Sequence, residues 1–258
     1  MISTAAEDGR RISANSSSKI VKLFNQYFVL VFTQDADICR PDCVDEVHAH
    51  PELCDLTFTT NQVLAVLSSL DMNKTSGPDQ IPARTLKETA HEIAPSFCDL
   101  FNKLLSLGSL PTEWKLTNIV PVYKKENKEY IENYPPISLL CLVSKVMERC
   151  LFNAIKDQFY ILVGSCQHGF MAKRSCVTQL VEVYCLIGSQ LDKGGQVDFI
   201  FLDISKAFDK VSHRKLLTLL QEHGFGGNLL AWFDFYLQNL LQRVTALVVS
   251  SEALPVTS

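Results

Sequence analysis

The sequence predicts an α+β protein, mostly helical, with a small antiparallel sheet. Three observations carry that expectation. Seven stretches repeat apolar residues at three- and four-residue spacing, as one buried helical face requires. Only three runs (116–123, 197–202 and 242–249) are dense enough in β-branched and aromatic residues to read as strands. Strand and helix do not alternate in the rhythm of a parallel βαβ sheet. With 258 residues, 47% hydrophobic and 20% charged, the chain can bury a sizeable core.

Taken in order, residues 1–18 are polar and rich in Ser and Ala, and are expected to be disordered. Ile20, Leu23, Phe24, Tyr27, Phe28 and Val31 then mark a helix over 18–32, behind serines able to cap it. Residues 33–55 form an acidic, aperiodic linker. Within it, Cys39, Cys43, His48, His50 and Cys54 are zinc-ligand residue types, but Cys-x₃-Cys followed by His-x-His matches no paired-knuckle spacing and reads as coincidence. A helix over 61–70 starts behind Thr59 and Thr60 and runs into a dense turn cluster, Asp71 to Asp79.

Residues 82–107 are helical, with Pro82 near the first turn and Pro95 expected to kink or divide the helix. The strand 116–123 contains Pro121, which predicts an edge position or a bulge. Lys124 and Lys125 follow in a polar loop reaching Asn133, so strand, basic loop and strand form one unit. Such lysines either meet phosphate oxygens or merely solvate a hairpin tip. A long amphipathic helix is expected over 138–160, and another over 175–193, capped by Ser175 and stopped by Gly194. Helices over 212–223 and 228–238, the latter with Trp232, Phe233 and Tyr236, precede the final strand.

The chain's centre of gravity is 197–213. Val197 to Leu202 is a near-continuous apolar run, as in a strand buried on both faces, and it breaks at Asp203, with Asp209 six residues on. A carboxylate where a buried strand surfaces is placed to hold Mg²⁺ against substrate phosphates; it can equally cap the following short helix, as Ser205 can.

Formal charge is −4, unusual for a nucleic-acid binder. Residues 1–60 account for it, with nine Asp/Glu and five Lys/Arg, so the remainder is neutral. Nine cysteines without a CxxC pair argue for a reducing compartment. No apolar run has transmembrane length and no signal-peptide core is evident, so a soluble intracellular protein without membrane contact is expected.

Val197-Asp-Phe-Ile-Phe-Leu-Asp203-Ile-Ser-Lys-Ala-Phe208-Asp209-Lys-Val-Ser-His213 resembles motif A of the reverse transcriptases of non-LTR (LINE-type, jockey-like) retrotransposons. Ser76-Gly-Pro-Asp79, Asn133-Tyr-Pro135-Pro136-Ile-Ser-Leu-Leu140 and Gln167-His-Gly-Phe170 with Arg174-Ser175 resemble other blocks of that family, in its order. The resemblance spans roughly residues 20–258.

It implies polymerase right-hand fingers and a partial palm. Residues 19–58 would be a helix plus linker, 59–196 an N-terminal extension and the fingers, and 197–258 the part of the palm carrying motif A. It implies an RNA-directed DNA polymerase using two Mg²⁺ ions, an RNA template, a DNA primer and dNTPs. Asp203 would be the catalytic carboxylate, with the Ile204 carbonyl beside it as a metal ligand. Phe208 would gate against a ribose 2′-hydroxyl, and Asp209 would be structural. Lys124 and Lys125 would meet the nucleotide, and Lys74, His168 and Arg174 the nucleic acid; for His168 a loop-ordering hydrogen bond is an equal reading.

The family pattern also calls for an arginine where Pro135 stands, and for a basic residue at Met171. Proline offers neither charge nor donor; losing one preorganised donor costs at least ~2 kcal/mol of transition-state stabilisation. The family's GVPQGS loop and ADD hairpin are not found, so the expectation is a C-terminally truncated fragment, inactive alone. A non-catalytic RNA- or DNA-binding remnant is the alternative, and a Mg²⁺-dependent phosphotransfer enzyme on a Rossmann-like sheet a more distant one.

Overall fold

The computed structural model describes residues 2–5, 11–32 and 53–257. Most of the acidic linker, with Cys39, Cys43, His48 and His50, lies outside them. The chain forms two compact units: Met1–Leu151 with Lys206–Ser258, and Phe152–Ser205.

Strands β1 (Ile2–Ala5), β2 (Arg11–Ala14), β3 (Leu116–Pro121), β4 (Pro136–Leu139), β5 (Leu241–Ala246), β6 (Val249–Ser250) and β7 (Leu254–Pro255) all belong to the larger unit. β1 and β2 pair antiparallel where disorder was expected. Tertiary contact supplies what composition does not: the Ser3 amide donates to the Glu129 carbonyl at 2.7 Å, and Ala14 is buried in the core.

The main sheet has the order β4-β3-β5-β6, with β7 on β5. β3 pairs antiparallel with β4 but parallel with β5, from Leu116↔Leu241 to Ile119↔Val244. The main sheet is therefore mixed, and the small antiparallel sheet is that of β1 and β2. A parallel pair needs a long crossover, and no local pattern announces which distant strand returns. Pro121 sits in a central strand, yet the ladder to β5 ends at Ile119, so its missing N–H costs nothing there. A single parallel pair in a mixed sheet gives no Rossmann-like platform.

Helix α1 (Ser17–Val29) starts where the Ser16 hydroxyl accepts the Lys19 amide. It packs Val21, Leu23, Phe24 and Phe28 with Ile119, Ile131 and Val244 into one core. Asn25 faces the same way, 1% exposed: its Nδ2 donates to the Glu252 carbonyl at 2.8 Å and its Oδ1 accepts from Gln242 at 3.3 Å. A buried amide satisfied on both atoms holds the helix in one register on β5.

The helices continue with α2 (Thr60–Ser68), α3 (Ala83–Glu88), α4 (Ala90–Ser106), α5 (Leu142–Leu162), α6 (Cys176–Leu191), α7 (His213–Glu222) and α8 (Gly227–Leu237). Thr59 and Gln62 close a capping box on α2. The long helix expected at 82–107 divides at Thr89, not at Pro95; Pro95 is accommodated inside α4. Both the amide and the hydroxyl of Thr89 bond the Thr85 carbonyl and end α3 there. α5 starts at Leu142, four residues later than expected, because Pro136–Leu139 is committed to β4.

Lys115 ends its turn buried, its Nζ donating to the carbonyls of Phe235 (2.6 Å) and Gln238 (2.8 Å) at the C-terminus of α8. Burial pulls its pKa below the ordinary lysine value, against the opposing pull of Asp234. The final strand expected at 242–249 is a hairpin instead, turning at Leu247 and Val248, both at positive φ.

In the smaller unit, Ser175 caps α6 with Thr178 in a reciprocal box. Val197–Leu202 is not a strand: among the described residues nothing pairs with it, and Ile200, Phe201 and Leu202 are 85%, 91% and 91% exposed. A strand exists only where a neighbour completes its ladder, which an apolar run cannot supply for itself. Among the described residues no helix is long and apolar enough to cross a membrane.

Candidate functional site

A cleft of about 330 Å³ opens in the larger unit. Its walls are the end of α1 with the residues after it (Tyr27, Phe28, Val31, Phe32), the β3–β4 hairpin (Lys124, Lys125, Tyr134, Pro135) and the segment carrying Lys206 and Asp209. The hairpin outlasts its strands: Val122 N–H donates to the Pro135 carbonyl and Lys124 N–H to that of Asn133, each at 3.1 Å. Its tip is stiffened by Tyr123 Oη donating to Glu126 O (2.6 Å) and Asn133 Nδ2 to Asn127 O (2.9 Å). Lys124 and Lys125 therefore stand on ordered backbone with exposed side chains. Lys125 Nζ lies 3.7 Å from Glu126, an exposed pair worth little.

Tyr134 packs edge-on to Phe24, 5.3 Å between centroids, and bonds the Lys128 carbonyl at 2.8 Å. Burial first, then Tyr123, holds its phenol above the ordinary pKa, so it stays a neutral donor. Lys206, which also lines the cleft, donates from Nζ to Tyr27 Oη at 3.1 Å and sits 4.5 Å from that ring's centroid. The Lys206 backbone is left-handed, φ +54°, a conformation that costs a side-chain-bearing residue roughly 1–2 kcal/mol. A three-residue turn, Phe208–Lys210, follows.

Residues 123–254, just over half of the chain, match the family described as reverse transcriptase (RNA-dependent DNA polymerase). The chain belongs to the reverse transcriptase family. It is 27% identical over 164 residues to a probable RNA-directed DNA polymerase from transposon BS of Drosophila melanogaster, covering 62% of this chain and 18% of that protein. It is 28% identical over 163 residues to the RNA-directed DNA polymerase from mobile element jockey of the same species, with the same coverage. Identity reaches 33% over 159 residues with the probable RNA-directed DNA polymerase from transposon X-element, covering 60% of this chain and 18% of that protein. The chain thus spans less than a fifth of the length of these relatives.

The reverse transcriptase match begins at the hairpin tip, so it takes in Lys124, Lys125, Pro135, Lys206 and Asp209 but leaves out Lys74 and Tyr27. Pro135 forms part of the cleft wall beside the lysines. Asp203 and Ile204 belong to the smaller unit, both exposed, while Phe208, 79% exposed, belongs to the larger. Among the described residues no three His, Cys, Asp or Glu side chains gather so as to hold a metal ion. The donor set therefore does not fit two Mg²⁺ ions.

His168 is buried, with Nδ1 3.1 Å from the Cys166 carbonyl and Nε2 3.4 Å from Glu182. Arg174 donates to the carbonyls of Ser165 and Gln167. Both side chains thus order their own loop in the smaller unit.

The Gly77-Pro78-Asp79 turn has a structural partner too. A Cβ on Gly77 would lie 2.3 Å from the Leu140 carbonyl oxygen, so only glycine permits the approach. Asp79 accepts the Cys141 thiol at 2.7 Å and the Ile81 amide at 3.3 Å. This locks the turn onto the β4–α5 junction and leaves Lys74 exposed beside it. Sequence reasoning missed two cleft residues, Lys206 and Tyr27. For Lys206 the signal was its place between Asp203 and Asp209; for Tyr27 there was none, because its partner lies far away in the chain.

Proposed function

We propose that this chain supplies the fingers and the beginning of the palm of a retrotransposon reverse transcriptase, and that its lysine-lined cleft receives the triphosphate of an incoming deoxynucleotide. One observation carries the reading: the cleft gathers the hairpin lysines and the Lys206–Asp209 segment around a volume suited to a small ligand. Lys124 and Lys125 meet phosphate oxygens by charge-assisted hydrogen bonds. Phe208 is the gate against a 2′-hydroxyl. Asp203, with the Ile204 carbonyl, would hold one Mg²⁺, and the ion would supply charge neutralisation to phosphate oxygens there. Lys74 contacts template RNA; His168 and Arg174 serve nucleic acid by holding the shape of their loop.

Two-metal chemistry needs carboxylates around ions about 3.5–4 Å apart, and the described residues gather no such set. The isolated chain accordingly binds nucleotide and single-stranded RNA without extending a primer. Primer extension on an RNA template with dNTPs and Mg²⁺ should give no product. Efficient synthesis that disappears in Asp203→Asn would refute the inactivity. In parallel, dNTP binding should weaken at least tenfold in Lys124→Ala/Lys125→Ala; retention of RNA without any dNTP binding would leave only a nucleic-acid-binding remnant.

A further inference from the structure

We infer that Lys206 is a phosphate-binding cation of the cleft, steered by Tyr27, and that it supplies there the charge Pro135 cannot. The inference rests on the proposed reading of the cleft and names a residue that reading does not require.

Three observations converge on Lys206. It lines the cleft together with Lys124 and Lys125, from a different segment of the chain, so an anion bound there would meet cations from both. Its side chain is directed by Tyr27, through the 3.1 Å hydrogen bond and the ring face beneath the ammonium. A hydrogen bond to a neutral phenol leaves the charge unneutralised, and an ammonium has two further protons to give.

Its backbone is held in the left-handed region, where glycine would sit without strain. Pro135, in the same cleft, has no charge and no N–H. Glu132 and Asp209 also line the cleft, two carboxylates against the three lysines Lys124, Lys125 and Lys206, so the lining keeps a net positive charge.

The ligand class is a polyphosphate, the triphosphate tail of a nucleotide. Inorganic tripolyphosphate and dTTP are the probes, titrated into the full chain by calorimetry at low ionic strength, with melting temperature recorded for every variant. Lys206→Gly should weaken binding of both probes at least tenfold while melting no lower than the parent chain, since glycine relaxes the left-handed residue. Lys206→Arg should retain binding within threefold. Tyr27→Phe should weaken it two- to fivefold by freeing the ammonium.

If Lys206→Gly lowers the melting temperature and leaves both affinities unchanged, Lys206 is a structural tether and the inference fails. If Lys124→Ala/Lys125→Ala also leaves them unchanged, or the parent chain binds neither probe, the nucleotide reading of the cleft fails with it.

Discussion

Helices α4 and α6 are nearly equal in length, 17 and 16 residues, and both are legible from apolar spacing. Their fates differ. α4 buries Ala90, Ala94, Cys98, Phe101, Leu104 and Leu105 among α2, α3 and α8. α6 buries nothing: Val177, Leu180 and Tyr184 are 68%, 68% and 77% exposed. The run Val197–Leu202 repeats the contrast against β5, whose Gln242 and Val244 are buried between neighbours. Apolar periodicity reports a capacity to be buried; burial itself requires a partner from elsewhere in the chain. Each outcome below would break or sharpen that contrast.

The largest effect belongs to Phe101→Ala. Its ring is fully buried, edge-on to Phe58 and Trp114, so its removal should cost about 3–5 kcal/mol in urea unfolding. Tyr184→Ala in α6 should change the same measurement by no more than about 0.5 kcal/mol. Equal losses would mean that α6 is packed after all.

Next comes alkaline pH, which acts through two buried thiols of the larger unit. Burial, reinforced by Asp79, pushes the Cys141 thiol up to about 11, and burial with Cys98 does the same for Cys150. With the folded pKa above the unfolded one, their contribution is intact below about pH 9. It falls as the unfolded chain sheds the protons first, and is lost by about pH 11. Two units correspond to at most about 2.7 kcal/mol per thiol. Stability measured from pH 8 to pH 11 should decline, and Cys141→Ala/Cys150→Ala should flatten the profile. An unchanged slope in the double variant would assign the alkaline loss elsewhere.

The smallest effect on stability belongs to the exposed run. Ile200→Ser/Phe201→Ser/Leu202→Ser should leave unfolding within about 0.5 kcal/mol of the parent while raising solubility and reducing self-association by light scattering. A large stability loss would show that these side chains are buried in solution.

Much of this chain was readable because the evidence is local. Ser16, Thr59 and Ser175 cap the helices that follow them, among the capping residues expected there. The strand, basic loop and strand around Lys124 and Lys125 form the expected hairpin. The motif order around Asp203 pointed to the family that the match over 123–254 establishes. Other features were hidden because each depends on a remote partner. The anchoring of β1 to Glu129, the parallel return of β5, the burial of Asn25 and the closeness of Gly77 to Leu140 all join segments far apart in sequence.

Caps, periodic faces and turn residues act over three or four neighbours, so the amino-acid order alone determined the helices, the hairpin and the family. Which apolar surface found cover, and which lysines came to face one cleft, was decided only by tertiary structure. Burial and charge clustering depend on distances that the linear order does not contain. Lys206 shows both halves: its motif is written in the sequence, and its partner Tyr27 exists only in the fold.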